Sequence, residues 1–283
     1  MLRVAIPNKG ELSGPAVTLL REAGYAQRTG TKELVVADRE NGVEFFYLRA
    51  ADIATYVGSG RVDLGITGRD LLLNSEAAAE EVLPLGFARC AFQLAARPGA
   101  VASVHDLTGR VIATGYPGIL GKYLADHGVA PRRILRVDGT VEIALHLGVA
   151  DAVADVIGSP AALADRGLEA VGPAIMTSEA ILVRPYSTTP GEGRASRFVR
   201  RLRGVLIARD YVLMDYDIRI EDVAHALTLT PGLESPTVSP LHRAGWAAVR
   251  AMVPAHQTQT IMDHLKLAGA HAIQTTQIQA CRL

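Results

Sequence analysis

The chain has 283 residues, of which 49% are hydrophobic and 20% charged, with 29 basic residues against 29 acidic ones. This balance of charge, with only 5% aromatic residues, argues against nucleic-acid partners and against an anionic membrane surface. Cys90 and Cys281 show neither metal-binding nor disulfide spacing, the N-terminus MLRVAIPNKG has no signal-peptide pattern, and no apolar run is long enough to span a membrane, so we expect a cytoplasmic protein.

Short apolar runs alternate with helical patterns over the first two thirds of the chain, which predicts an α/β fold with largely parallel sheets. A helix beginning at Ser13 follows the first strand, and Thr140 is expected to cap a later helix. The segment Thr188 to Ser196 is the most loop-like stretch. The predicted strands in chain order are LRVAIP, VEFFYLRA, VDLGITG, CAFQLAARPG, VIATGYPG, RILRVDG and AVADVIG. The predicted helices lie in ADIATYVGSG, RDLLLN, ILGKYLADHG and TVEIALHLG.

The last seventy or so residues follow a different pattern. Strand YVLMDYDI, helix EDVAHALTLT, strands PTVSPL and WAAVRAMVP, helix QTIMDHLKLAG and strand AIQTTQIQACRL succeed one another. The order βαββαβ is typical of a ferredoxin-like module.

The stretch DAVADVIGSPAAL is a candidate phosphate site. A strand ends near Asp155 and Gly158, Ser159 is a good helix N-cap, and Pro160 suits the first helical position. The backbone amides of Ala161, Ala162 and Leu163 would then face an anion at the positive helix end. An ordinary strand-to-helix turn explains the same residues.

Charged residues recur where predicted strands end, which is where open α/β sheets place their ligands. Lys9 follows the first strand, Arg49 ends another, and Arg69 and Asp70 follow a third, where they could form a surface ion pair. Asp138 and Glu142 flank a helix start, where they could bind ribose hydroxyls or Mg²⁺, or cap the helix. The sequence contains no HExxH, GxSxG or GxxxxGK[ST] motif, so we predict neither a zinc site nor a serine or cysteine nucleophile.

Together these pieces resemble the long form of the ATP phosphoribosyltransferases, in the style of actinobacterial members. The resemblance covers essentially the whole chain. It is carried by RVAIPNKGELS, VEFFYLRAADIATYVGSG, DLGITGRDLL, VDGTVE, ADVIG, MDYD, TPGLESPTVSPL and AMVPA.

The resemblance implies two α/β lobes like those of periplasmic binding proteins and a C-terminal ferredoxin-like regulatory domain. Residues 1–90 with 184–210 would form lobe I, 91–183 lobe II, and 211–283 the regulatory domain. It also implies a homo-oligomer (dimer to hexamer), a requirement for Mg²⁺ held mainly by substrate pyrophosphate, and histidine as an inhibitor. The implied reaction joins N1 of ATP to C1 of phosphoribosyl pyrophosphate and releases pyrophosphate, as the first step of histidine biosynthesis or of a specialised nucleoside pathway.

The resemblance also implies roles for individual residues. The loop containing Gly158, Ser159, Ala161 and Ala162 would hold the donor 5′-phosphate, with Asp155 and Glu142 near the ribose and Asp138 close by. Lys9, Arg49 and Arg69 would meet phosphates, and Asp70 and Tyr116 would line the nucleotide pocket. Histidine would be surrounded by Asp217, Leu233, Ser235, Thr237 and Ala272.

The donor loop departs from the family pattern. Pro160 stands where a glycine is usual, and Ala162 stands where a hydroxyl residue would bond the phosphate. Losing such a hydrogen bond costs about 1.5–3 kcal/mol. We therefore consider an active transferase with weakened donor binding, a catalytically silent nucleotide-binding regulator, and a two-lobe binding protein for a small ligand.

Overall fold

The computed structural model describes residues 1–30, 33–158, 161–187 and 193–282. Its strands are β1 (Leu2–Pro7), β2 (Val35–Asp38), β3 (Val43–Leu48), β4 (Leu64–Gly68), β5 (Ala79–Pro84), β6 (Cys90–Ala96), β7 (Val111–Thr114), β8 (Arg133–Arg136), β9 (Ala152–Ile157), β10 (Glu169–Ala170), β11 (Met176–Ser178), β12 (Ala180–Pro185), β13 (Tyr211–Arg219), β14 (Thr237–Pro240), β15 (Trp246–Pro254) and β16 (His271–Gln277). Its helices are α1 (Ser13–Glu22), α2 (Ala50–Gly58), α3 (Arg69–Ser75), α4 (Pro117–Asp126), α5 (Glu142–His146), α6 (Ala161–Asp165), α7 (Arg194–Asp210), α8 (Val223–Leu229) and α9 (Thr258–Leu267).

The chain divides into two compact units, one of residues 1–21 with 25–196 and the other of residues 22–24 with 197 onwards. The first unit contains two sheets. The first sheet has the strand order β2-β3-β1-β4-β12-β5, and the second has β10-β6-β9-β7-β8, with β11 also paired to β6. The chain passes from the first sheet to the second between β5 and β6 and returns between β11 and β12.

The prediction of largely parallel sheets is right for the centre of each sheet and wrong for the rest. Strand β1 pairs in parallel with β3 and β4, and β7 pairs in parallel with β8 and β9. The strands β2, β12, β5, β6, β10 and β11 all pair antiparallel to their neighbours. The central strands read as continuous apolar runs because helices cover both faces of a parallel sheet, and β4 is buried along its whole length.

Helix α2 packs on the first sheet through Gly65 of β4. A Cβ atom at this position would lie 2.5 Å from Cγ2 of Ile53 and 2.9 Å from Cγ2 of Val57. Both neighbours are β-branched and fully buried, so neither side chain can rotate away cheaply. The missing side chain therefore sets the distance between α2 and the sheet that carries the candidate site.

The second unit contains the predicted ferredoxin-like module. Its four strands are antiparallel in the order β14-β15-β13-β16. Along β13, Met214, Tyr216 and Ile218 are buried in a core that includes Ala226 of α8 and Leu265 of α9. The alternate side chains of β13 lie on the opposite face, as the twofold period of a strand requires.

Several elements were not predicted from the sequence: β2, β5, β10, β11, β12 and α7. The prediction that Thr140 caps helix α5 is wrong. The N-cap residue of α5 is Val141, and its side chain makes no capping hydrogen bond. The predicted final strand AIQTTQIQACRL is also shorter in the structure, where β16 ends at Gln277.

Replacing Gly65 with alanine should destabilise the protein by about 1–3 kcal/mol, because the added methyl overpacks the contact with Ile53 and Val57. Gly121→Ala is the matched control. Gly121 lies inside α4, where a Cβ would meet only Ile134 Cδ1 at 3.8 Å, so alanine should stabilise the helix by roughly 0.5–1 kcal/mol. Thermal unfolding of both variants measures the difference. Equal stability of the two would contradict the packing argument.

Candidate active site

Four of the predicted site residues follow strands that end at one edge of the first sheet. Strands β1, β3 and β4 are parallel, and Pro7 pairs with Leu48 at their carboxyl ends. Lys9 and Arg49 are both exposed there. Because the carboxyl ends of parallel strands meet at one edge, Lys9 and Arg49 lie on the same edge as Arg69 and Asp70, the first two residues of α3.

The second sheet presents a corresponding edge. Strands β7, β8 and β9 are parallel, and their carboxyl ends lead to Tyr116, Asp138 and Gly158. Asp155 is the fourth residue of β9 and is half-buried. Asp138 is exposed, with its carboxylate 3.7 Å from Arg136. Three residues predicted to bind the donor, Asp138, Asp155 and Gly158, therefore lie at or near one edge of the second sheet.

The two edges meet at Asp70 and Tyr116. Asp70, at the start of α3, is 6% exposed, and its carboxylate lies near the hydroxyl of Tyr116, the residue before α4. One turn further on, the backbone N–H of Gly118 donates to Asn74 Oδ1 at 3.0 Å. Burial, followed by the charge of Asp70, raises the pKa of the Tyr116 hydroxyl, so Tyr116 stays protonated as a hydrogen-bond donor.

Glycine at position 68 makes room for the Asp70 carboxylate. A Cβ atom on Gly68 would overlap Asp70 Oδ1. The carboxylate is therefore folded back over its own helix start, between β4 and the second lobe. The sequence TGRD supplies both the glycine that accepts this geometry and the aspartate that uses it.

The surface ion pair that was the alternative explanation of Arg69 and Asp70 does not form. The Arg69 guanidinium instead donates to both carboxylate oxygens of Glu81, through Nε and Nη2 at 2.8 Å each, and contacts Glu179 at 3.3 Å. The bond to Glu81 is the main reason that the pKa of Arg69 is raised further above its ordinary value. A phosphate would have to share Arg69 with these two acceptors.

Asp155 and Glu142 lie close together, as the resemblance implies. Burial raises the pKa of Asp155 to about 6, and the charges of Glu142 and Asp70 act in the same direction. The backbone N–H of Val156, which donates to Asp155 Oδ1 at 2.9 Å, and the charge of Arg166 oppose the shift. Since Asp70 belongs to the first lobe, carboxylates from both lobes face the same space.

The predicted phosphate loop is only partly within the described residues. Ser159 and Pro160 lie outside them. Gly158 is exposed at the end of β9, and Ala161 and Ala162 open the short helix α6. A cavity of about 430 Å³ lies between Gly158 and Arg69, with Gln93 and Cys90 also in its wall. Its volume is within the range of small-molecule sites.

Sequence reasoning missed three groups at these edges. Arg28 lies 4.1 Å above the Tyr47 ring and donates to the carbonyl oxygen of Asn8 at 2.8 Å, which adds a cation near Lys9. Within the described residues, Asn8 Oδ1 is buried without a hydrogen-bond partner, which is unusual away from ligand sites. Arg166, 3.6 Å from Glu142, follows α6; only its position after the candidate loop could have suggested it.

In the second unit, the residues that would surround histidine lie at β13, β14 and β16. Asp217 of β13 pairs with His271, and the next residue, Ala272, adopts φ +50° where the register of β16 shifts. Leu233 and Ser235 lie in the loop before β14, which begins at Thr237. Asp217 and Thr237 lie on the face of the sheet opposite the helices.

Comparison with known proteins decides the family. A family model described as ATP phosphoribosyltransferase matches residues 49–204, and a model of the HisG C-terminal domain matches residues 208–280. The ATP phosphoribosyltransferase of Streptomyces coelicolor is 57% identical over 286 residues, and that of Streptomyces avermitilis 56%, with all of both chains covered. The chain belongs to the ATP phosphoribosyltransferase family. The resemblance on which the sequence analysis relied is confirmed.

A solved structure agrees with this assignment. The ATP phosphoribosyl transferase (HisG:HisZ) complex from Thermotoga maritima superimposes with a TM-score of 0.62 at 25% identity, covering 72% of this chain and 97% of that chain. The function is that of an ATP phosphoribosyltransferase, a pentosyltransferase with ATP and phosphoribosyl pyrophosphate as substrates, at the first step of histidine biosynthesis.

Two findings concern other site types. Among the residues that the structure describes, no group of three or more histidine, cysteine, aspartate or glutamate side chains is arranged to hold a metal ion. In the same part of the chain, no helix combines the length and the apolar character needed to cross a membrane.

Asp155→Asn should stabilise the protein more at about pH 8 than at about pH 4. The wild-type carboxyl has a pKa of about 6 when folded against an ordinary 3.8, so the folded state binds more protons between these values. The wild type therefore loses stability as pH rises through this window, by roughly 3 kcal/mol at most, and asparagine has no such loss. Denaturant unfolding at both pH values tests this; a variant effect that is the same at both would contradict the buried carboxylate.

Proposed function

We propose that the two joined edges form the catalytic cleft, with the donor on the second lobe and ATP at the contact between lobes. The observation that carries this is the closeness of Asp70 to Tyr116, beside the hydrogen bond of 3.0 Å from the Gly118 N–H to Asn74 Oδ1, which brings both sets of strand ends to one space. The donor 5′-phosphate would lie against the backbone amides of Ala161, Ala162 and Leu163, and the pyrophosphate would face Lys9, Arg49 and, once shared with Glu81, Arg69.

The chemistry needs alignment more than proton transfer. Adenine N1 is unprotonated at neutral pH, so its lone pair can attack C1 of the ribose while the bond from C1 to the pyrophosphate oxygen breaks. Positive charge develops on the ribose, and Asp155 and Glu142 would stabilise it from the second lobe. Asp155 must be ionised for this, and a pKa of about 6 leaves it mostly ionised at neutral pH. Tyr116 and Asp70 would hold the adenine in line.

The pyrophosphate would bring Mg²⁺ with it. The described carboxylates suit this arrangement, because Asp138 and Glu142 are each paired with an arginine and Asp155 is half-buried. When bound, Mg²⁺ offsets the negative charge that develops on the leaving pyrophosphate. Arg49 and Lys9 would contact the same phosphate oxygens from the first lobe.

The remaining features follow from the family. We propose that residues 1–90 with 184–210 and residues 91–183 act as the two catalytic lobes, that residues 211–283 bind histidine as a feedback inhibitor, and that the chain assembles as a dimer or hexamer in the cytoplasm. The positions of Asp217, Thr237 and Ala272 around the open face and bulge of the third sheet support the histidine site.

Ala162→Thr should lower the Michaelis constant for phosphoribosyl pyrophosphate. The added hydroxyl lies in the first turn of α6 and would form a hydrogen bond with the charged 5′-phosphate, which is worth roughly one to two decades in affinity. The measurement is initial-rate kinetics with ATP, Mg²⁺ and varied donor, with N1-phosphoribosyl-ATP identified by mass.

Ala164→Thr is the matched control. It makes the same chemical change two residues later, at an exposed position of the same helix, and should leave the donor constant unchanged. If both variants changed the constant equally, or neither did, the phosphate would not lie at this helix start. A wild-type chain that bound ATP but formed no product would support a silent regulator instead.

Asp217→Asn should weaken inhibition by histidine, because the α-amino group of the inhibitor would lose a charged partner, with a rise of roughly tenfold or more in the inhibitory concentration. Asp215→Asn provides the comparison. Asp215 lies two residues earlier on the same face but is bound to Arg250 at 2.7 Å, so its variant should keep normal inhibition. A wild type that does not respond to histidine would exclude this site.

A further inference from the structure

Ser178 lies where the chain crosses back from the second sheet to the first. It ends β11, which pairs with β6 so that Ser178 faces Cys90, and β12 begins two residues later in the first sheet. Its side chain is buried, with 3% of the residue exposed. A buried hydroxyl must find hydrogen-bond partners within the protein, and the partners of this one are informative.

Both partners of the Ser178 hydroxyl belong to Asp70. The hydroxyl donates to Asp70 Oδ1 at 2.6 Å and accepts the backbone N–H of Asp70 at 3.0 Å. The first distance lies in the range of charge-assisted hydrogen bonds from O–H to carboxylate. The two bonds close a small ring that fixes the side-chain torsions of Asp70.

The surroundings leave Asp70 little alternative to this position. Gly68 leaves space for the carboxylate on the strand side, since a Cβ there would overlap Oδ1. Cys90 faces Ser178 across the pairing of β6 with β11, and burial raises the pKa of this thiol above its usual range, so it is present as a neutral thiol. With Oδ1 bound by Ser178, Oδ2 of the carboxylate remains as an acceptor on the side where Tyr116 lies nearby.

We propose that Ser178 is a positioning residue for the nucleotide subsite. It holds the Asp70 carboxylate in the orientation in which this group meets the Tyr116 hydroxyl from the second lobe and accepts from the adenine of ATP. Without the Ser178 hydroxyl, Asp70 is free to turn toward solvent or toward Arg69, and the subsite loses its fixed acceptor. The inference rests on the proposed role of Asp70 and Tyr116 in binding ATP.

Ser178→Ala should raise the Michaelis constant and the calorimetric dissociation constant for ATP roughly ten- to a hundredfold, with the constant for phosphoribosyl pyrophosphate unchanged. Ser178→Thr keeps the hydroxyl and should recover most of the ATP affinity. Thr230→Val is the control for general loss of stability. Its hydroxyl is equally buried, bonded to Tyr216 at 2.7 Å and Ala226 at 3.1 Å in the second unit, and its loss should leave both constants alone.

A double-mutant cycle separates positioning from a structural role. If Ser178 acts through Asp70, adding Ser178→Ala to Asp70→Asn should change ATP binding far less than it does in the wild type. Equal effects in both backgrounds, or normal ATP affinity of Ser178→Ala, would overturn the proposal. A wild-type chain that binds ATP without forming product would refute the proposed catalysis, while the ATP affinities of the variants would still test the role of Ser178. A wild-type chain that does not bind ATP would refute both the proposed function and the role of Ser178.

Discussion

The candidate site depends on one buried carboxylate. Asp70 follows the first sheet in sequence, yet its carboxylate accepts a hydrogen bond from Ser178 in the crossing between the sheets and lies near Tyr116 at the edge of the second sheet. A buried carboxylate is costly unless it is hydrogen-bonded, so the bond from Ser178 helps to keep this charge in place. Asp70, Tyr116 and Ser178 together lie where the two rows of strand ends meet.

Electrostatics across the cleft follow from this arrangement. Asp70, Asp155 and Glu142 place negative charge where a ribose cation would develop, while Lys9, Arg28 and Arg49 supply positive charge near the carboxyl ends of β1 and β3. Arg69 is already balanced by Glu81 and Glu179. The cleft is thus divided into an acidic side for the sugar and a basic side for phosphates, although the formal net charge of the whole chain is zero.

The sequence was sufficient to predict much of this frame, for physical reasons. Apolar runs such as VEFFYL and AVADVI are strands because their side chains can be buried on a sheet, and charged residues after parallel strands must meet at one edge. The same reasoning could have found β12 in AILVRP, and α7, where Phe198, Leu202 and Val205 recur at helical spacing. What it could not supply were partners distant in sequence: Ser178 lies 108 positions from Asp70, and Glu81 lies 12 from Arg69. Local patterns carry no information about such pairs, which explains why the alternative of an Arg69–Asp70 ion pair could be settled only by the structure.

Glu179, next to Ser178, is hydrogen-bonded to the other connection between the sheets and to the start of α3. Its carboxylate accepts the backbone N–H of Gly86 in the outgoing crossing at 3.0 Å, and its own carbonyl accepts the N–H of Arg69 at 3.1 Å. Two connections held side by side in this way favour rotation of the lobes over sliding. We therefore expect any opening of the cleft to rotate about Glu179, which would displace nearby Asp70 least and open the proposed phosphate end most.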